Sequence, residues 1–319
     1  MKQSKFSWAD TITVIITLAF GFVCFLSFNF FTLGDITRSI IFSAVITLLL
    51  GGFAIGATVM KRTNRNFKSC IITEWIFLFL FIVTAVITIT PFIWGIKPFN
   101  HFFDITSQKT EIQSSIDANI TQVEKLFLKY KNYAKQREEK YKERLESVVS
   151  AKENSSEYSN FDFEEGINDT TQIENKMETL HFQLFSSNFD KMETAFNEWF
   201  SKSKSNIKNW NPMGVVTIIR DMDIKTAEWL SELKKCSQYR EKGEEKYKVD
   251  KVEDFNYELS FSSVNDKFKE GKTSIFAYFY AILGFALMMF SYIISKRNRR
   301  YPGLKIIFSK QQGTAINEL

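Results

Sequence analysis

The side chains that most often carry catalysis or bind metals are few in this sequence and stand apart. There are two histidines, His101 and His181, and each is alone, so neither a HExxH helix nor a histidine-rich metal cluster can form around them. The patterns GxxxxGK[ST], GxGxxG and GxSxG do not occur. The acidic pairs Glu164-Glu165 and Asp221-x-Asp223 are of a kind common on solvated surfaces. We therefore predict a protein that is not an enzyme and that has no cofactor and no metal site.

Three cysteines are spread along the chain, at Cys24, Cys70 and Cys236. The first two lie in or beside apolar segments, so only Cys236 belongs to a polar region. A lone cysteine there cannot form an intrachain disulfide. We interpret Cys236 as a plain buried thiol, with an intermolecular disulfide as the alternative.

One ionisable residue, Glu74, lies inside a long apolar segment. Such residues can mark a transport pathway through a membrane. Glu74 is also close enough to Lys68 to pair with it, or to reach the membrane interface, and we favour this structural interpretation. Threonines recur in the same segment, but hydroxyls inside helices usually bond to their own backbone carbonyls; they are Thr84, Thr88 and Thr90.

Four apolar segments are long enough to cross a hydrocarbon core of roughly 30 Å as helices. We place them at residues 8–31, 39–60, 71–94 and 273–295. The first is too long for a signal peptide and no cleavage site follows it. The second contains Gly52-Phe53-Ala54-Ile55-Gly56. The small residues Gly52 and Gly56 predict a close helix-packing seam within or between subunits.

Basic residues collect on one side of this four-span topology. Residues 1–7, 61–70 and 296–319 contain twelve Lys and Arg, whereas residues 97–272 contain 28 basic and 32 acidic residues. The positive-inside rule makes the basic side cytoplasmic, with the topology set mainly by Lys61, Arg62, Arg65, Lys68, Lys296, Arg297, Arg299 and Arg300. Because the basic excess flanks the spans, the net charge of +5 indicates topology, and we predict no nucleic-acid partner.

Residues 95–272 are then predicted to form a helical domain on the outer side of the membrane, between the third and fourth spans. Apolar spacings of three and four over 107–151 predict one long, heptad-like helix. A second helix over 171–204 would return antiparallel to it as an αα-hairpin, after a loop over 153–171. Asn211-Pro212 predicts the start of a third helix. Alternating apolar residues near 255–262 favour a short strand or an extended linker. The fold class is thus an all-α membrane protein with an elongated, coiled-coil-like outer domain.

The order of three spans, a large helical outer domain, a fourth span and a short basic tail resembles TssN, a membrane subunit of the type VI secretion system of subtype iii. The resemblance covers the whole chain through its length, its topology and its helical outer segment. It implies a structural subunit of an inner-membrane, envelope-spanning complex in bacteria, with both termini cytoplasmic and the large domain periplasmic. Its partners would be other membrane and periplasmic subunits, copies of itself and the lipid bilayer.

Two other functions fit the same sequence. A membrane sensor or regulator could bind a ligand in the outer helices and relay the signal to a cytoplasmic partner that reads the tail near Tyr301. A channel or transporter accessory subunit is the third hypothesis, and it depends on Glu74 and the threonines that follow it.

Overall fold

A computed structural model describes residues 7–63, 67–91, 95–151, 157–238, 255–261, 264–269 and 273–296, apart from the side chains at positions 67, 68 and 265. These residues form helices and connecting segments, without strands. In chain order the helices are α1 (Trp8–Phe31), α2 (Ile36–Arg62), α3 (Phe67–Ile89), α4 (Asn100–Ser107), α5 (Lys109–Ser150), α6 (Glu157–Asn160), α7 (Asp169–Leu184), α8 (Ser187–Lys208), α9 (Pro212–Ser237), α10 (Asn265–Lys269), α11 (Ile275–Met288) and α12 (Phe290–Ile294).

The chain divides into two compact units. Unit 1 comprises Met1–Lys109 and Asn265–Leu319, and unit 2 comprises Thr110–Val264. The sequence assigned all of residues 95–272 to the outer domain. In the structure, however, the helices α4 and α10 belong to unit 1, together with the apolar helices.

In the described part of unit 1, three helices are long and apolar enough to cross a membrane: α1, α2 and the Ser69–Ile89 part of α3. Their apolar character agrees with the first three predicted spans. The segment predicted as the fourth span forms two helices, α11 and α12, because the backbone leaves the helical conformation at Met289. Since α11 alone is too short to cross the bilayer, a fourth span remains a prediction.

Local signals in the sequence explain where the first two helices begin. Ser7 and Asp10 form a capping box at the start of α1, which satisfies two backbone N–H groups that have no partner within the helix. Asp35 caps α2 by accepting a hydrogen bond from the backbone N–H of Arg38 at 3.0 Å. Between the two helices Gly34 adopts a φ of 88°, a conformation that glycine reaches without steric cost.

Unit 2 is organised around the 42-residue helix α5, whose buried side chains recur at intervals of three and four residues. The helix α8 runs antiparallel to α5. Gln113 near the start of α5 donates to the carbonyl of Ile207 near the end of α8 at 2.5 Å. Farther along, Lys131 pairs with Glu193. The helix α7 continues in the same direction, with His181 2.8 Å from Glu138. This is the hairpin arrangement expected from the sequence, and its coiled-coil character remains a prediction.

The predicted second helix is interrupted in the structure. It ends at Leu184 and restarts at Ser187, with Ser186 capping the new helix through the backbone N–H of Phe189. The carbonyl of Leu184 accepts a hydrogen bond from the buried Tyr130 hydroxyl at 2.8 Å. The third helix begins at Pro212 with Asn211 as its cap, as Asn211-Pro212 predicts.

The strand predicted near 255–262 is wrong for the residues that the structure describes there, 255–261, which form neither helix nor strand. The alternation that suggested it is nevertheless present. Phe255 is buried and Tyr257, Leu259 and Phe261 are half-buried against the core of unit 2, whereas the residues between them are exposed. An extended segment packed on helices shows this alternation without a neighbouring strand to supply a hydrogen-bond ladder.

The charged half of α5 is more than the solvated stalk that its composition indicates. Arg137 is 6% exposed, and Tyr141, Leu145 and Val148 continue the buried stripe beyond it. The guanidinium of Arg137 donates to the carbonyl of Ser237, the last residue of α9. A cation at the carboxyl end of a helix is favourable for the helix dipole, so this buried charge stabilises the α5–α9 contact.

Candidate functional site

The main concentration of polar side chains in unit 1 lies where the basic end of α2 meets the start of α1. Arg62 binds the carboxylate of Asp10 through both terminal nitrogens, at 2.8 and 3.0 Å. The side chains are 19% and 11% exposed. A bidentate pair of this kind combines charge with fixed geometry, so it fixes the position of α2 relative to α1.

The same arginine also reaches α12. Its Nε donates to Ser295 Oγ and one terminal nitrogen donates to Ser291 Oγ, both at 2.8 Å. Ser291 in turn donates to Asp10. The Asp10 carboxylate also accepts a hydrogen bond from the backbone N–H of Ser7 at 2.8 Å. One guanidinium therefore joins α1, α2 and α12.

Glu74 brings α3 into the same region. It is 1% exposed, and it accepts a hydrogen bond from the Tyr292 hydroxyl at 2.7 Å. Lys61 donates to the carbonyl of Tyr292 at 2.6 Å and lies 4.1 Å from the centre of its ring, a favourable cation–π geometry. We call this group the basic-end cluster; it consists of Asp10, Lys61, Arg62, Glu74, Ser291, Tyr292 and Ser295.

The cluster contains residues that the sequence singled out and others that it did not. Glu74 binds Tyr292 of a neighbouring helix; the side chain of Lys68, the partner expected from the sequence, lies outside the described residues. The contacts of Asp10 were not predicted from the sequence. Two serines one turn apart in an otherwise apolar segment, Ser291 and Ser295, are the signal from which a polar contact could have been expected.

Of the other residues assigned to the topology signal, Lys296 is the one whose side chain the structure describes. Lys296 is exposed at the end of the last described segment. The remaining four lie wholly outside the described residues, and they are Arg65, Arg297, Arg299 and Arg300.

The two glycines of the predicted packing seam on α2 have different surroundings within the chain. A Cβ at Gly56 would lie 2.9 Å from the Phe77 ring, so Gly56 packs closely against α3 within the chain. A Cβ at Gly52 would meet nothing within 4 Å. The tighter contact joins α1 and α2, where a Cβ at Gly51 would lie 2.9 Å from Thr17 and one at Gly21 would collide with Thr47 Oγ1. Small residues permit such close helix approach.

A second polar group, the far-end cluster, lies at the opposite ends of these helices; we define it as Lys97, Asn100, His101, Asp104, Thr273 and Ser274. Asp104 on α4 accepts a hydrogen bond from the backbone N–H of Ser274, the N-cap of α11, at 2.8 Å. Lys97 lies 3.4 Å from the same carboxylate and donates to the Thr273 hydroxyl at 2.8 Å. Asp104 thus caps a helix that begins 170 positions later in the chain.

Burial disfavours the charged forms of both titratable residues of α4, and it therefore shifts their pKa values in opposite directions. It raises the pKa of Asp104, and the hydrogen bond from Ser274 and the positive charge of Lys97 act against that rise. Burial lowers the pKa of His101 to about 4, with a further lowering by Lys97, while a hydrogen bond to the backbone of Phe268 acts the other way. His101 is therefore neutral at pH 7.

Beside it, Asn100 is fully buried, and neither atom of its amide has a hydrogen-bond partner among the described residues; nor does Nε2 of His101. Because an unpaired buried amide is costly, this is the least satisfied part of unit 1.

In unit 2 the residues singled out from the sequence have ordinary structural surroundings. His181 contacts Glu138, and its side chain is 55% exposed. Cys236 is half-buried, with its sulfur 3.8 Å from Ser186 Oγ. Asp221 pairs with Arg220 at 3.0 Å. Within the described part of the chain, no three His, Cys, Asp or Glu side chains are grouped as a metal site would require.

Comparison of the chain with models of known protein families, with curated proteins and with solved structures finds no match.

Proposed function

We propose that this chain is a structural subunit that anchors an envelope-spanning complex in the bacterial inner membrane, and that the complex is a type VI secretion system. The observation that carries the proposal is how the buried ionisable side chains of unit 1 are used. Asp10, Arg62 and Glu74 all bind side chains of other helices. Ionisable groups that serve transport face a pathway, whereas these three hold helices together.

Unit 2 supports the proposal through the extent of its surface. At 1.5 Å per residue, a helix of 42 residues is roughly 63 Å long. Only one stripe of α5 is buried, so exposed helical faces are available to neighbouring subunits along that length. In the proposed arrangement this unit is periplasmic, both termini are cytoplasmic, and the partners are other membrane and periplasmic subunits and further copies of the chain.

The decisive experiment is purification of the tagged protein from native membranes in a mild detergent, followed by measurement of the particle mass and identification of co-purifying proteins. We expect a large particle of defined composition that contains several envelope proteins, with secretion subunits among them. An untagged strain processed in parallel defines the background. A particle containing a single copy of this chain and nothing else would contradict the structural role.

A second measurement separates the structural role from the particular machine. Deletion of the gene should abolish effector release by the type VI system, and the intact gene should restore it. Normal release from the deletion strain, together with a large co-purifying complex, would retain the anchor role and eliminate the assignment to type VI secretion.

A further inference from the structure

The buried side-chain atoms of unit 1 that lack a hydrogen-bond partner lie on or beside one short helix, α4. Among the described residues of the unit they are both amide atoms of Asn100, Nε2 of His101 and Nε2 of Gln108, the residue that follows α4. By contrast, the buried side chains of Asp10 and Ser27 are bonded to groups on other helices. The unpaired atoms are therefore concentrated in one element.

Water cannot satisfy Asn100 while α4 stays in this position. The residue is 0% exposed, so a sphere of the size of a water molecule finds no room against it, and a bridging water needs such room. An amide buried without partners loses the hydrogen bonds that it makes in water. It recovers them if α4 leaves its place, so the packed position of α4 has a cost that a released position does not have.

A carboxylate and an aromatic ring hold α4 against this cost. Asp104 accepts a hydrogen bond from the backbone N–H of Ser274 at 2.8 Å and lies 3.4 Å from Nζ of Lys97. Phe103 stacks on Tyr280 of α11, with ring centroids 5.5 Å apart. Because Ser274 is the N-cap residue of α11, the Asp104 carboxylate fastens α4 to the start of that helix.

The place of α4 in the chain allows it to move as one piece. It has eight residues and is not one of the three helices long and apolar enough to cross a membrane among the described residues. A single residue, Gln108, separates it from α5. From the unpaired atoms, the lack of room for water and this position, we infer that α4 is a latch with two positions. It is seated on unit 1 in this structure, and in the second position it is released, with its polar side chains bonded to water.

The inference is tested by hydrogen–deuterium exchange and mass spectrometry on the full-length protein in lipid nanodiscs, comparing backbone amides of α4 with those of α2. Asn100→Leu keeps the branching of the side chain and removes its polar atoms, so it removes the cost of the seated position. Exchange in α4 should become slower by at least about tenfold, which corresponds to 1.4 kcal/mol, while exchange in α2 stays unchanged. Asn100→Ala removes the amide without adding bulk, and at least one of the two variants should show this slowing.

Two further variants complete the design. Asp104→Ala removes the carboxylate that fastens α4, and exchange in α4 should become faster by at least about tenfold. The matched control is Asn132→Leu, which makes the same substitution at an exposed position of α5 and should leave exchange in α4 as it is in the unaltered protein. Circular dichroism of each variant shows whether the helices remain folded.

Three outcomes would overturn the inference. Exchange in α4 that neither Asn100→Leu nor Asn100→Ala slows would show that the amide is not the cost of the seated position. Exchange that Asp104→Ala does not accelerate would show that nothing is fastened there. A change of the same factor in α4 and α2 would show that unit 1 opens as a whole. None of these outcomes depends on whether the chain belongs to a larger complex, so the proposed structural role and the latch are tested separately.

Discussion

The guanidinium of Arg62 binds Asp10, Ser291 and Ser295 at once. These contacts join different helices and were not predicted from the sequence. Removal of one partner from a buried ion pair is costly because the other charge remains in a poorly solvated place. We therefore predict that Arg62→Met lowers the free energy of unfolding by roughly 3 kcal/mol, measured by denaturant titration in detergent micelles.

The matched control is Arg38→Gln. Arg38 pairs with Asp35 at 3.1 Å, but the two side chains are 73% and 38% exposed, and exposed pairs contribute little to stability. Its effect should stay within about 0.5 kcal/mol. Equal losses in the two variants would show that burial of the Asp10 pair does not matter.

The second prediction at the residue scale concerns pH and His101. Its pKa is about 4 in the folded protein, against an ordinary value of 6.5. As the pH falls from 6.5 towards 4, the unfolded chain takes up a proton that the folded chain does not, so the stability decreases. Relative to His101→Phe, which cannot titrate, the unaltered protein should lose about 2 kcal/mol between pH 7 and pH 5, measured as unfolding free energy at each pH.

The raised pKa of Asp104 acts in the opposite direction, but it is present in both proteins and cancels in this comparison. Parallel pH profiles for the unaltered protein and His101→Phe would contradict the assignment of a buried neutral imidazole.

At the scale of helices, the α1–α2 contact depends on Gly21. A methyl group there would collide with Thr47 Oγ1, and that hydroxyl is already fixed by its hydrogen bond to the Ser43 carbonyl at 2.6 Å. Overpacking of this kind costs roughly 1–3 kcal/mol, so Gly21→Ala should lower the thermal midpoint of the solubilised protein. Gly52→Ala, with open space around the added methyl, should leave the midpoint unchanged or slightly higher, and a similar loss in both variants would refute the seam.

The helices themselves were largely predictable because they depend on local signals. Asn211-Pro212 predicted the start of α9, and apolar spacing predicted α5 and its buried side. The break at Phe185–Ser186 was not predictable, because Leu184 and Met192 lie on one predicted apolar stripe across it. The strand near 255–262 failed for a similar reason, since alternation reports which side chains are buried and not what they pack against.

The candidate site was less predictable than the helices. Asp10 and Ser291 are 281 positions apart, and no spacing rule connects residues at that separation. Gly52 and Gly56 were chosen for their pattern, whereas Gly21 and Gly51 make the closest approach between α1 and α2, because the partner surface decides which small residue matters.

At the scale of the whole molecule, the proposed topology can be tested with cysteines. In a Cys236→Ser background, Lys191→Cys introduces a thiol on an exposed part of unit 2. If unit 2 is periplasmic, a membrane-impermeant maleimide should label this cysteine in intact spheroplasts. Cys70, at the other side of the membrane in the proposed topology, should react only after the membrane is opened. Labelling of Cys70 alone in intact spheroplasts would reverse the orientation.

The separation of its residues along the chain also determines when the basic-end cluster can form during synthesis. Arg62 and Ser291 are 229 positions apart, and at about 5–20 residues per second a ribosome needs roughly 10–50 s to cover that distance. During this interval Asp10 and Arg62 can already pair, while the two serines that complete the cluster do not yet exist. Until then the guanidinium of Arg62 lacks its hydrogen bonds to Ser291 and Ser295. The basic-end cluster is completed only after α12 has been synthesised.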